Sequence, residues 1–429
     1  MCSFYKTSDM QIAFRLDYIG GKLLVVFLLF SFIYEIHFAY FPLNFPVVFG
    51  LLSLFCYAFN KGLRNKCRSY GWNITSLISI FIPVLQIAFI SIVINQSWDF
   101  YFIRWYIFFV LKIFACMSIM YLAKKYYSDL HYVTLVKIFF CCAVIQISLS
   151  LLMWVVPGIK EILYSTLTVS DIGDEALERT FGLRMNGYGT NFFGSGVVHG
   201  FILFVIPLLA QQRLKIVHST IGMLLYALIF VISMMIARTT IIGFAMGLFL
   251  LIFIKKPKLN TLNLITYLCV SALVGIVILD SLSPQFLENF EYVITFGFEM
   301  FINYFNGDGL TTSSISNSMV NMYVFPDNIS TWLFGDGLWE TSRGYYYKGT
   351  DIGLCRMLFY FGIIGLIIFL FCYLKLFKAI RKRNTGLPLR CLQLLFVYLV
   401  VLQFKGFVDL LPLILPLYFC DSQNKYSHS

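Results

Sequence analysis

The feature that most limits what this chain can fold into is a succession of apolar runs, each close to the length a helix needs to span a bilayer. They occupy 23–38, 41–59, 74–94, 101–123, 132–156, 190–210, 217–237, 239–254, 262–279 and 352–371, and an eleventh begins near Leu389. Within lipid only hydrogen bonds inside a segment satisfy the backbone, so each run predicts a transmembrane helix. A twelfth stretch, 407–419, is short and carries Pro412 and Pro416. The first run has no small-residue cleavage site after it and is followed at once by another, so it reads as a retained helix and not a signal peptide. The expected fold class is an all-α polytopic membrane protein with 11 to 12 transmembrane helices.

Composition sharpens this. Only 12% of residues are charged and 59% are apolar, whereas a soluble protein carries roughly 25% charge. A water-facing surface needs more than that, which excludes a soluble enzyme, a disordered chain and a nucleic-acid binder. The net charge of +11 is a topology signal. With the N-terminus inside, Lys61, Arg64, Lys66, Arg68, Lys124, Lys125, Arg213, Lys215, Lys255, Lys256 and Lys258 fall on inner loops, with Arg381, Lys382 and Arg383 near the C-terminus. The acids fall opposite, among them Asp99, Glu161, Asp174, Glu178, Glu299, Asp336 and Glu340. This obeys the positive-inside rule. The chain divides into 1–280, spans one to nine with an outer loop at 157–189; 281–350, a large outer loop; and 351–429, the last spans and the tail. Long loops are uncommon unless functional, so function is expected in 281–350. The 11 cysteines avoid both large outer loops and read as small apolar residues. No Cys/His spacing suggests a metal, and no cofactor is expected.

Charges at membrane depth are costly and mark candidate sites. Arg238 sits in a tight turn between two spans, where its competing role is an interfacial arginine reaching water. Gly243 and Gly247 follow at a spacing that admits a close helix neighbour. Arg179 and Arg184 lie among glycines just above the membrane and suit bidentate binding of a phosphate or pyrophosphate; the alternative is pairing with Asp174, Glu175 and Glu178. Asn191, Ser195 and His199 repeat every four residues and form one polar stripe, for which a packed histidine is the alternative. Gly335, Asp336 and Gly337 form a glycine turn, and Asp351 stands at a helix start, where capping is its bland role. Arg356 lies five residues on, on a different face. Lys112 is expected to turn inward and find a partner.

In their order these features resemble the O-antigen polymerase (Wzy-type) family and, more distantly, the O-antigen ligases of the same superfamily. The resemblance rests on Arg179 to Gly182, the Ala-Arg-Thr turn at Arg238, Leu-Phe-Gly-Asp-Gly ending at Gly337, and Thr-Asp-Ile-Gly ending at Gly353, which runs into Gly362 and Gly365. It implies a GT-C-like glycosyltransferase architecture in the bacterial inner membrane, with the N-terminus cytoplasmic and the large loop periplasmic. The implied activity is metal-independent transfer of a growing polysaccharide from undecaprenyl pyrophosphate to the next lipid-linked repeat unit. Implied partners are that lipid-linked substrate, the bilayer and a chain-length regulator protein, with no nucleic acid. The loop 281–350 contains no histidine, which favours polymerase over ligase. A lipid-linked oligosaccharide flippase or other transporter is the rival from another class. On the polymerase reading Arg238, Asp351, Asp336 and His199 are the catalytic candidates. Arg179, Arg184, Asn191, Gly335, Gly337 and Arg356 are the candidates for pyrophosphate and substrate binding.

Overall fold

The computed structural model describes residues 3–168, 185–189, 192–207, 220–253, 295, 298–309, 311–312 and 321–421. Among these residues the fold is helical, with no strand and two isolated bridges, Phe38–Leu167 and Glu340–Tyr346. Arg179, Arg184 and Asn191, together with the expected span at 262–279, lie outside the described residues.

The helices are α1 (Ser3–Ile33), α2 (Phe45–Phe59), α3 (Lys61–Ser69), α4 (Ile74–Ser79), α5 (Ile82–Asn95), α6 (Tyr101–Tyr126) and α7 (Tyr132–Val155). They continue with α8 (Pro157–Ser165), α9 (Phe192–Val205), α10 (Thr220–Ile236), α11 (Thr240–Phe253), α12 (Ile329–Phe334), α13 (Gly353–Arg383), α14 (Leu389–Gln403) and α15 (Leu411–Tyr418). Local chemistry explains many ends. Pro46 and Pro83 stand in the first turns of α2 and α5, where no amide donor is missed. The Asn60 and Asn73 side chains cap α3 and α4 by accepting from Leu63 N and Ser76 N. Lys124 and Lys125 end α6, and Arg381, Lys382 and Arg383 end α13, where the helix dipole favours cations.

Four stretches are long and apolar enough to cross a membrane: Ile74–Asn95, α6, α7 and α13. α2 and α3, a pair bent by 96°, pass the same test only when taken together, as a broken span or a re-entrant loop. The bend comes where the apolar α2 gives way to Lys61, Arg64, Lys66 and Arg68. The chain is therefore membrane-embedded, and the expected runs at 74–94, 101–123 and 132–156 appear almost as read. Shorter apolar helices stand at 193–205, 224–236, 240–250 and 389–403.

Two spans depart from expectation. The run at 23–38 ends as a helix at Ile33. Glu35 adopts a left-handed φ of 48°, and Ile36 N turns back to Ser31 O at 3.1 Å. The chain then docks on the segment after α8, with Ala39 N on Thr166 O at 2.9 Å. The stretch at 407–419 is helical only over α15, and those eight residues rise about 12 Å. It nonetheless runs alongside most of α6. Phe407 packs on Phe102 with ring centroids 5.8 Å apart, Asp409 reaches Trp105 and Lys112, and Asp421 pairs with Lys124. Every residue of α15 is buried. Non-helical backbone at membrane depth is tolerated where protein surrounds it, as here.

Using α6 as a ruler, three of the cations expected on the inner side, Lys66, Lys124 and Arg383, gather at its Lys124 end. Arg383 donates to Tyr418 O at 2.7 Å and to Tyr70 O at 3.1 Å, and Lys124 lies over the Tyr70 ring. The opposite end of α6 carries Asp99 and the 335–351 segment.

Candidate functional site

At the Asp99 end, α13 carries a break. Phe361 and Gly362 leave helical geometry, Gly362 at φ 65°. A break frees carbonyls that the i→i−4 ladder would otherwise use. The glycine turn after α12 takes them: Asp336 N donates to Phe359 O at 2.6 Å and Gly337 N to Tyr360 O at 3.0 Å. From α5, Ser91 Oγ donates to Tyr360 O at 2.6 Å and Asn95 Nδ2 to Gly335 O at 3.1 Å. The approach is too close for side chains. A Cβ on Gly362 would overlap the Leu333 carbonyl, and one on Gly335 would overlap the backbone of Tyr360 and Phe361. Gly335 and Gly337 also hold positive φ, 73° and 68°, which glycine adopts without penalty. Gly335 and Gly337 thus join the turn to the helix break. The Asp336 carboxylate is spoken for as well, accepting from Thr331 Oγ1 at 2.5 Å and from Tyr347 Oη at 3.2 Å. Burial, with help from Asp336, pushes the Tyr347 phenol up to about 12.

Past this turn, Asp99 anchors the chain by accepting from Trp339 N at 2.7 Å and Glu340 N at 3.3 Å. Trp339 is buried and stacks on Tyr101, with centroids 4.3 Å apart. Arg356 is the charged centre of the group. Its guanidinium lies 3.8 Å from the Trp339 ring centroid and 4.0 Å from that of Tyr346, a cation held between two aromatic faces. Nη2 stands 3.8 Å from Glu340 Oε1, while Nε has no hydrogen-bond partner.

Asp351 corrects one expectation. It does not cap α13: the N-cap position is Ile352, and no side chain bonds there. Its Oδ1 is buried without a hydrogen-bond partner. Burial raises its pKa above the ordinary carboxylate value, partly opposed by Lys405 and Arg356. Asp351 and Arg356, read as unrelated from their five-residue spacing, therefore sense one another's charge. Lys405 comes from the turn after α14, and Gly353 packs so closely on Gly406 that a Cβ would overlap it. No sequence pattern flagged Lys405, or Asp99 as an anchor, and the loop aromatics Trp339 and Tyr346, expected to stack on sugar rings, hold Arg356.

The remaining candidates lie elsewhere. Arg238 occupies the turn between α10 and α11, and its Nη1 pairs with Glu299 Oε2. Gly243 and Gly247 do admit a close neighbour, which is α9: a Cβ on Gly243 would overlap Gly200. His199 is buried on α9 with Nδ1 2.8 Å from Ser233 Oγ. Asp351, Asp336 and Arg356 thus share one neighbourhood, while Arg238 and His199 lie on the α9–α11 side, which meets it where Phe193 of α9 packs on Gly406. Lys112 does find partners, Glu35 Oε1 at 2.5 Å and Asp409 Oδ2 at 3.1 Å. Asp409 also accepts from Trp105 Nε1 at 3.2 Å, Tyr373 Oη at 3.0 Å and Leu411 N at 2.9 Å. Among the described residues, no group of three or more His, Cys, Asp or Glu side chains is placed to hold a metal.

Comparison of the chain with protein-family models, curated proteins and solved structures returns no match.

Proposed function

We propose that this protein is a polysaccharide polymerase of the bacterial inner membrane. It transfers a growing O-antigen chain from undecaprenyl pyrophosphate to a sugar hydroxyl of the next lipid-linked repeat unit. The observation that carries the reading is the Asp351 carboxylate, which keeps an unbonded buried oxygen and feels the charges of Arg356 and Lys405. A group that only stabilises the fold is normally satisfied. One held partly desolvated within the field of two cations, with its pKa raised by burial, suits proton transfer.

In this mechanism Asp351 accepts the proton of the acceptor hydroxyl as the new glycosidic bond forms. The diphosphate departs with the electron pair of the bond it loses, and cations stabilise its developing charge. Arg356 and Lys405 are the cations whose charge acts on Asp351. Arg179 and Arg184 remain candidates for the second phosphate. Tyr345 and Tyr346 offer rings for sugar stacking, Tyr345 being well exposed. Arg238, already paired with Glu299, serves best by ordering the α10–α11 turn. The GT-C-like architecture, the periplasmic placement of this end and the partnership with a chain-length regulator belong to the same proposal.

The phenotype of cells carrying Asp351→Asn tests it. Loss of polymerisation leaves a single repeat unit on the cell surface. Cells with no repeat unit would point to the flippase, and polymer stranded on its lipid carrier would point to the ligase; either result overturns the polymerase reading.

A further inference from the structure

Five buried side-chain atoms close to one another in depth make no hydrogen bond within the protein. They are Ser31 Oγ on α1, Tyr34 Oη just beyond it, Gln146 Oε1 and Ser150 Oγ on α7, and His199 Nε2 on α9. All five residues are at most 2% exposed. Their depth follows from contacts on either side. The Cys142 thiol reaches Val26 O at 3.8 Å, and α1 and α7 both run away from the Lys124 end. Four and eight residues further on, Gln146 stands level with Phe30 and Ser150 with Tyr34. The Tyr34 ring meets the His199 ring edge-on, with centroids 5.7 Å apart. On its far side His199 is held by Ser233, through Nδ1.

Native proteins rarely leave buried polar atoms unpaired, so several on facing helices imply a shared ligand. The chemistry of the set selects it. Two alcohols, a phenol, an amide oxygen and an imidazole nitrogen are neutral, which suits neither a cation, for want of carboxylates, nor an anion, for want of cations. The ligand must both donate and accept, because Gln146 Oε1 only accepts while Tyr34 Oη and the serines do either. Water meets those terms, needing two to four polar partners at a buried site.

We propose that the junction of α1, α7 and α9 is a binding site for a small cluster of water, which bridges Tyr34 to His199 and takes in Ser31, Gln146 and Ser150. The cluster makes His199 part of a polar layer through the apolar bundle. Ser233 and His199 lie on one side of Tyr34, and its chain neighbour Glu35 continues the layer to Lys112 and Asp409 on the other. This inference is independent of the proposed transferase activity.

Radiolytic hydroxyl-radical footprinting of the full chain in nanodiscs reads the site directly, because radicals formed from bound water label the side chains it touches. Tyr398 and Tyr373 are controls: both are fully buried, but their hydroxyls are bonded to Val197 O and Asp409. Tyr34 is expected to be labelled about fivefold or more faster than either control, as a residue bordering buried water would be. In His199→Leu, the Tyr34 rate should fall toward the controls. Should that variant not fold, the wild-type comparison decides alone: Tyr34 labelling as slow as that of Tyr398 overturns the proposal.

Discussion

Two aspartates at one end of this molecule differ in what surrounds them. Asp336 sits in a turn whose backbone amides fill the break in α13, and its carboxylate accepts from Thr331 and Tyr347. Asp351, at the start of the same helix, keeps a buried oxygen unbonded and feels Arg356 and Lys405. The first is committed to holding the chain together; the second is left with bonding capacity. A conspicuous motif can therefore be scaffold, while the plainer residue beside it keeps the bonding capacity that the proposed chemistry needs.

The sharpest test of that contrast starts away from both, in the charge cluster that carries the 404–410 turn. Lys112→Met leaves the Asp409 and Glu35 carboxylates without their cation. Removing one partner of a buried pair costs about 3–5 kcal/mol, so thermal unfolding in detergent should show a large drop. The double variant Lys112→Met with Asp409→Leu should recover part of it, since a well-packed apolar replacement is often tolerated. A double variant no better than the single would place the loss in packing instead.

Next comes the turn itself. Gly362→Val forces a Cβ into the Leu333 carbonyl at positive φ, and strain plus overpacking should cost about 3 kcal/mol. Wild-type melting of this variant would mean that the turn does not close on the helix break as described.

The two aspartates then separate by readout. Asp351→Asn should lower the polymerisation rate by about 10²-fold or more, as loss of a general base does, with melting nearly unchanged. Asp336→Asn should do the reverse, costing about 1 kcal/mol of stability through weakened hydrogen bonds and retaining most activity. Equal activity losses would erase the distinction.

The smallest effect is in pH. Because burial raises the Asp351 pKa, the carboxylate form needed for a base appears only as pH climbs past that raised value. The acid limb of the rate profile should therefore lie above the range of an ordinary carboxylate, and Asp351→Asn should abolish it. Stability moves oppositely for this group: a raised folded pKa favours the protonated form, so its contribution is fullest below the unfolded pKa and is lost as pH rises through the folded one. An acid limb in the ordinary carboxylate range would remove Asp351 from the base role.

Much of the architecture was legible in the chain itself. Apolar run length depends on bilayer thickness and not on neighbours, so α5, α6 and α7 lie close to where hydropathy puts them. Placement of cations at helix ends is equally local, and Lys124 and Arg383 do share one end of the bundle. The inward turn of Lys112 was also readable, because a lysine at that depth cannot reach water. Its partners were not, for Glu35 and Asp409 lie 77 and 297 positions away along the chain.

What tertiary structure alone decided is where polar groups find, or fail to find, a partner. Gly335, Asp336 and Gly337 read as a site because glycine beside a carboxylate looks available; a helix break more than twenty residues later claims them. Arg238 read as a site residue or as an interfacial arginine reaching water, and the fold gives it Glu299; Arg356 acquired its aromatic clamp from a loop that Asp99 holds in place. A sequence displays donors and acceptors one at a time, and run length and charge are properties of single segments. Hydrogen-bond satisfaction is a property of pairs, and the pairs that distinguish Asp336 from Asp351 form only when the chain has folded.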